Sequence, residues 1–214
     1  MPTSTSLRTL LERSEEMDLG WREVLAKAGA QYVPGAVRER LALDACALVL
    51  THGQAIRLLL SSKLENPALA LLRVQHEALL RAAWLAHAAA DAEIAALAAP
   101  QTDEALKQAN QLPLPGVLLR QIEASDAPDA LKQGLREFRD IAWAGANSYT
   151  HAGLLPLGHV GTGHDERVLG QALQASNAHG YAACMISAKF LGNATVHPSI
   201  NLVAITHADC MAWR

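Results

Sequence analysis

Three groups of polar residues in this chain have the types and spacing to do chemistry. The first is Arg73, Glu77 and Arg81, at i, i+4 and i+8 in the otherwise apolar stretch RVQHEALLRAAWLAHAA, with His76, Trp84 and His87 beside them. On a solvated face this spacing gives ordinary salt bridges worth a few tenths of a kcal/mol. Inside a bundle the same residues become a buried ion network, which is costly unless every member is paired and which orients a site or fixes helix register. The second group lies in RDIAWAGANSYTHAG, where Asp140, Trp143, Asn147 and His151 recur at helical spacing just before a glycine-rich loop. A helix C-terminus favours the charged form of His151, which is the candidate catalytic residue as a general base. A capping histidine and a backbone-satisfied asparagine account for the same pattern. The third group is Gln174, Asn177 and Tyr181, spaced three and four apart. If the three helices adjoin, their polar faces meet in one pocket. The candidate binding set is therefore Arg73, Glu77, Arg81, Asp140, Asn147, His151, Asn177 and Tyr181.

Other chemistries find less support. The nine histidines raise the question of metal. Paired-helix di-iron sites use Glu-x-x-His and zinc proteases use His-Glu-x-x-His, and the chain contains neither. His159, His164 and Asp165 cluster in a loop where a metal could bind adventitiously, so no physiological metal and no cofactor is expected. There is no Gly-x-Ser-x-Gly, phosphate-binding loop or dinucleotide fingerprint. Cys46, Cys184 and Cys210 are widely spaced in apolar helical contexts, without a Cys-x-x-Cys pair. They read as small buried hydrophobes in a reducing cytoplasm.

The elements that must position these residues are helices. Residues 66–90 form the central one: Asn66 is suited to cap it, Pro67 to its first position, and Leu, Ala, Arg and Glu fill it. Its apolar residues point in almost every direction, which marks a helix buried in a larger bundle. Amphipathic spacing predicts one or two helices over 4–29, which Gly20 could divide, and others over 36–63, 129–151, 165–191 and 198–213. Residues 93–98 could extend the central helix after a kink. Pro100, Pro113, Pro115 and Pro128 leave room for short helices at 102–112 and 116–124, and the glycines of 153–163 predict a loop. No run alternates with period two for long enough to make a strand.

The expected architecture is a single all-α domain over 1–214, with about six to eight helices and no sheet. Residues 1–34 are an N-terminal helical segment, 36–99 and 129–213 the core bundle, and 100–128 a short-helix flap. Half the residues are hydrophobic, 18% are charged and the net charge is -3, a globular composition without the basic patches that nucleic-acid binding feeds on. No stretch of about 20 apolar residues lacks charge, so no membrane span is expected. The beginning of the chain is too acidic and broken for a secretion signal, which points to the cytoplasm.

The segments RVQHEALLRAAWLAHAA, FRDIAWAGANSYTHAG and LQASNAHGYAACM resemble the landmarks of a bacterial helical family of unknown function. In that family an Arg-x-x-x-Glu helix precedes a Ser-Tyr-x-His segment and a Ser-Asn helix. The resemblance covers about residues 68–210 and implies a helical fold but no activity. More distantly, a helix ending in polar residues and histidine resembles HEPN ribonucleases, whose motif is Arg, four to six residues, then His. Here Arg139 precedes His151 by twelve positions, and no arginine sits at the HEPN spacing.

Two functional readings follow. In the first the protein is a binding or interaction module whose polar inter-helix pocket takes a small molecule or a protein partner; a homodimer fits the same composition. In the second it is a HEPN-like ribonuclease, or another metal-independent hydrolase, with His151 as base and Arg139 or Arg81 steadying a phosphate. Only the second involves nucleic acid, and neither involves a membrane.

Overall fold

The computed structural model describes residues 6–30, 32–33, 35–99, 102–103, 112–192 and 194–211. Among them there are helices and no strand. In chain order the helices are α1 (Leu7–Gly29), α2 (Val37–Ser61), α3 (Glu65–His87), α4 (Asp91–Ala98), α5 (Pro115–Glu123), α6 (Asp129–Ile141), α7 (Trp143–Thr150), α8 (Leu154–His159), α9 (Glu166–Leu191) and α10 (Val196–Thr206), closed by a 3-10 turn at Ala208–Cys210. These ten helices exceed the six to eight expected from the sequence. The stretch 129–151 breaks at Ala142 into α6 and α7, and the glycine-rich stretch 153–163 holds the short α8. The helix expected over 102–112 lies mostly outside the described residues.

α3 is the centre, flanked by α2, α5, α7 and α9. α2 and α3 form an antiparallel hairpin joined by three residues. The hairpin turns through a Schellman motif: Leu64 N–H bonds Leu59 O at 2.8 Å, Lys63 N–H bonds Leu60 O at 3.1 Å, and Lys63 takes the left-handed φ of 59° that glycine usually supplies. Leu64, not Asn66, is the N-cap of α3; Asn66 stands inside the first turn, with Pro67 after it. At the far end, side chains satisfy carbonyls that a helix terminus leaves free. Arg38 donates to Leu85 O and Ala89 O, and Lys189 donates to Ala86 O.

The buried apolar residues form two clusters at opposite ends of α3. Leu69 and Leu72 join Met17, Trp21, Ile56, Leu173 and Ile200 at one end. Leu79, Leu80, Trp84 and Leu85 join Cys46, Val49, Leu118, Leu119, Ile122 and Ile186 at the other. The stretch expected as a flap therefore contributes α5 to the core. α2 is long and apolar enough to cross a membrane by length and composition, but its Val49, Gly53, Ile56 and Leu60 are buried in this bundle. α1 runs unbroken through Gly20, where a Cβ would lie 3.1 Å from Val203, so that glycine serves the close approach of α10 rather than a bend.

Between the clusters lies a polar layer that the sequence reading did not anticipate. Gln75 and His76 of α3 face Ser176 and His179 of α9, all four buried. Gln75 Nε2 donates to Val49 O at 3.1 Å and to Ser176 O at 3.2 Å. A Cβ at Gly53 would come within 2.9 Å of Gln75 Nε2, so this layer requires a glycine on α2. His76 Nδ1 lies 3.2 Å from His179 Nε2, and the His76 ring stacks on Phe138 with centroids 4.2 Å apart. Burial holds His76 well below the usual imidazole range, reinforced by His179, and pushes His179 down to about 3. A second buried polar set ties α1 to α2. Asp18 Oδ2 takes Arg57 and Arg22, each at 2.7 Å, with the Asp18 and Arg57 side chains 8% and 11% exposed.

Two measurements test this core. Leu72 and Leu79 are 6% and 2% exposed, so cutting either to Ala should cost about 2–5 kcal/mol in urea unfolding. The histidine layer sets an acid dependence. The unfolded chain takes up protons at these histidines near pH 6.5, whereas in the folded state His179 resists until about pH 3 and His76 is likewise held well below the usual range. Stability should therefore fall as pH drops from 6.5 toward 3, by up to about 1.4 kcal/mol per pH unit per histidine. Urea midpoints at pH 7 and pH 5 should show this loss, and His179→Gln should reduce it.

Candidate functional site

α7 is a short helix, and its place against α3 is fixed by Ala146, buried in the core, and by Thr150, whose hydroxyl reaches Ala70 O at 3.3 Å. That seating brings residues of the first two sequence groups together. Arg73 Nε donates to Glu77 Oε1 at 2.8 Å. Its Nη1 donates to Asn147 Oδ1 and lies 3.0 Å from His151 Nε2. Its guanidinium carbon sits 4.6 Å from the centroid of the Trp143 ring, within cation–π range. An arginine can only donate, so His151 Nε2 is the acceptor and Nδ1 carries the ring proton. His151 is the C-cap of α7, as its position near the end of a helix predicted, and its own N–H bonds Asn147 O.

The seam is half-buried. The Arg73 side chain is 16% exposed and that of Glu77 37%. Arg81 continues the stripe two turns on, and burial pulls its guanidinium below its usual value while Glu77 opposes this. Arg81 Nη1 is buried without a hydrogen-bond partner among the described residues. Two arginines thus share one carboxylate, whose hydrogen bond goes to Arg73.

The remaining candidates lie elsewhere. Asp140 is exposed on α6 and pairs with its neighbour Arg139 at 3.0 Å. The break at Ala142 takes it out of line with Trp143, Asn147 and His151. Asn177 is buried on the face of α9 that meets α1: it accepts from Ser14 at 2.7 Å and donates to Cys210 O at 2.9 Å. Tyr181 donates to Asn201 on α10 at 2.6 Å, and Gln174 to Asp209 O. The third group is thus a set of structural links among α1, α9, α10 and the closing turn. The single pocket expected from three polar faces does not form, because α9 turns His179 and Ser176, not Asn177 and Tyr181, toward α3.

A second cluster, which the sequence reading missed, sits on the other side of α7. Tyr149 Oη lies 2.8 Å from His164 Nε2, and His164 Nδ1 lies 2.8 Å from Glu65 Oε2. The sequence placed His164 with His159 and Asp165 as a loop cluster open to metal. In the structure Asp165 caps α9, accepting Arg167 N–H at 2.7 Å, and no three His, Cys, Asp or Glu side chains converge as metal ligands among the described residues. The available signal for the cluster was the tyrosine in Ser-Tyr-x-His, two residues from His151 and so on the opposite side of a helix. Glu65, which bonds His164, is 99 positions from it, beyond any local pattern.

An all-helical protein with a polar seam between two helices is the class that this geometry defines. Residues 46–213 match the profile of a family of unknown function (DUF6988), and the chain belongs to that family. No curated protein and no solved structure matches the chain. The match does not carry the HEPN resemblance.

The energetics of the seam are open to measurement. Glu77 is 37% exposed, so Glu77→Gln should cost about 1–2 kcal/mol in urea unfolding, between the weak exposed pair and the buried one. Combined with Arg73→Met, the loss should be smaller than the sum of the single losses, because both changes remove the same bond.

Proposed function

We propose that this protein is a binding module whose inter-helix seam, built on Arg73, Glu77, Asn147 and His151, takes a small anionic molecule or an acidic group of a protein partner. The observation that carries this reading is the posture of Arg73. Its Nε and Nη1 are held by Glu77, Asn147 and His151, and its face rests on Trp143. A guanidinium fixed in this way gives up little side-chain freedom on binding, and planar anions match its geometry.

The same bonds favour binding over catalysis. The lone pair of His151 Nε2 accepts from Arg73, so it is engaged rather than free to take a substrate proton. The arginine beside His151 is Arg73 on another helix, whereas the ribonuclease reading called on Arg139 or Arg81. Three buried thiols without a disulfide support a cytoplasmic setting.

A thermal-shift series with inorganic phosphate, citrate and adenosine monophosphate tests the reading. A ligand at about 100 times its dissociation constant adds about 2.7 kcal/mol, which should appear as a raised melting temperature for at least one of the three. Arg73→Ala should abolish that rise. No shift with any of them, or a shift that survives in Arg73→Ala, removes the proposal.

A further inference from the structure

The relay beside α8 has no part in the Arg73 seam, and its geometry supports a chemistry of its own. Glu65 Oε2 accepts both the backbone N–H of His164 and its ring Nδ1–H, each at 2.8 Å. This double acceptance places the ring proton on Nδ1 and turns the lone pair of Nε2 toward Tyr149 Oη, 2.8 Å away. The imidazole is locked: its side chain is 3% exposed, and it stacks on His159 with ring centroids 4.3 Å apart and planes 16° from parallel. His164 and Glu65 form part of the wall of a cavity of about 420 Å³, together with Lys63, Asn66, His159 and Gly161. The loop reaches this position through Gly161 and Gly163, at φ of 84° and 71°. The chain thus presents a hydroxyl on an imidazole and the imidazole on a carboxylate, the ordering by which proteins activate a weak nucleophile.

We propose that the half-buried Tyr149 is an activated nucleophile toward small esters, with His164 as its general base and Glu65 as the carboxylate that orients it. As Tyr149 Oη bonds to the carbonyl carbon, its proton passes to His164 Nε2. The ester C–O bond then breaks, and the departing alkoxide takes that proton. Water attacks the resulting tyrosyl ester and gives a proton to Nε2, and the leaving Tyr149 oxygen recovers it. Glu65 accepts the Nδ1–H and stabilises the imidazolium in both halves. Burial raises the Tyr149 phenol above its ordinary value. The hydroxyl is therefore protonated at neutral pH, and reaction depends on His164 taking the proton during attack.

The same bonds would also pin the glycine-rich loop to α3, so the test must read reactivity and not stability. Tyr32, which donates to Glu39, and Tyr181, which donates to Asn201, are controls within the same chain. The full chain is treated with phenylmethylsulfonyl fluoride, the labelled tyrosines are identified by peptide mass, and p-nitrophenyl acetate hydrolysis is followed in parallel. Tyr149 should be labelled at least about tenfold faster than Tyr32 or Tyr181. His164→Gln should slow that labelling by about 100-fold, the usual scale of a positioned base, and should make the remaining rate climb with pH toward the phenol range. Glu65→Gln should slow it less. Tyr149→Phe removes only a hydroxyl and should abolish ester turnover with an unchanged circular dichroism spectrum. Labelling of Tyr149 no faster than of Tyr32, a rate unaffected by His164→Gln, or ester turnover that survives Tyr149→Phe would overturn the proposal.

Discussion

A helix enclosed by its neighbours must find a partner for each polar atom it carries, and α3 carries many. α2, α5, α7 and α9 all pack on it, so water reaches only part of its surface. Several polar residues of α3 are answered by particular neighbours. Glu65 meets His164, Arg73 meets Asn147 and His151, Gln75 meets Val49 O and Ser176 O, and His76 meets His179. These pairings fix the register of α7 and α9 against α3 more narrowly than apolar packing does, because a slip of one residue would leave buried donors and acceptors unpaired. The matching is incomplete at Asn66 Oδ1, Gln75 Oε1 and Arg81 Nη1, which find no hydrogen-bond partner among the described residues, and Arg81 lies on the seam for which binding is proposed.

α7 is the element through which the two polar sites are related. It has eight residues, too few for stability on its own. Ala146 anchors it in the core, Asn147 and the capping His151 face the Arg73 seam, and Tyr149 turns toward His164. The break at Ala142 makes this possible. A continuous helix from 129 to 151 would carry the direction of α6 through to His151; the break lets α6 follow Phe138 into the core while α7 takes its own line along α3.

The two sites differ in what their atoms are free to do. In the Arg73 seam the acidic and basic atoms are bonded to one another, which preorganises a charged face but leaves no idle base. In the Glu65–His164–Tyr149 relay the bonds run in one direction, from hydroxyl to imidazole to carboxylate, and such a chain can pass a proton. In the sequence His151 closes a helical run two residues before Gly153, whereas His164 follows Gly163 in a turn-forming stretch with no helical pattern to mark it.

Period and composition alone determined the fold class, because burying apolar side chains at 3.6-residue spacing has few solutions other than helices packed on helices. They also picked out α3 as the enclosed helix and Arg73, Glu77, Asn147 and His151 as residues of interest, since charge in an apolar run is visible locally. Asp18 left a weaker trace: a charged residue three positions before Trp21 and seven after Leu11, on the apolar stripe of α1. What only the tertiary structure decided is which polar residue meets which. Asn177 and His179 are two positions apart on one helix, yet one seals α1 and the other the interior of α3. Asp140 and Asn147 share a spacing, yet a single break sends them to different surfaces. Glu65, Tyr149 and His164 carry no common signal, because pairing across 99 positions depends on how whole helices seat against each other, and that is set by the sum of many apolar contacts rather than by any local pattern.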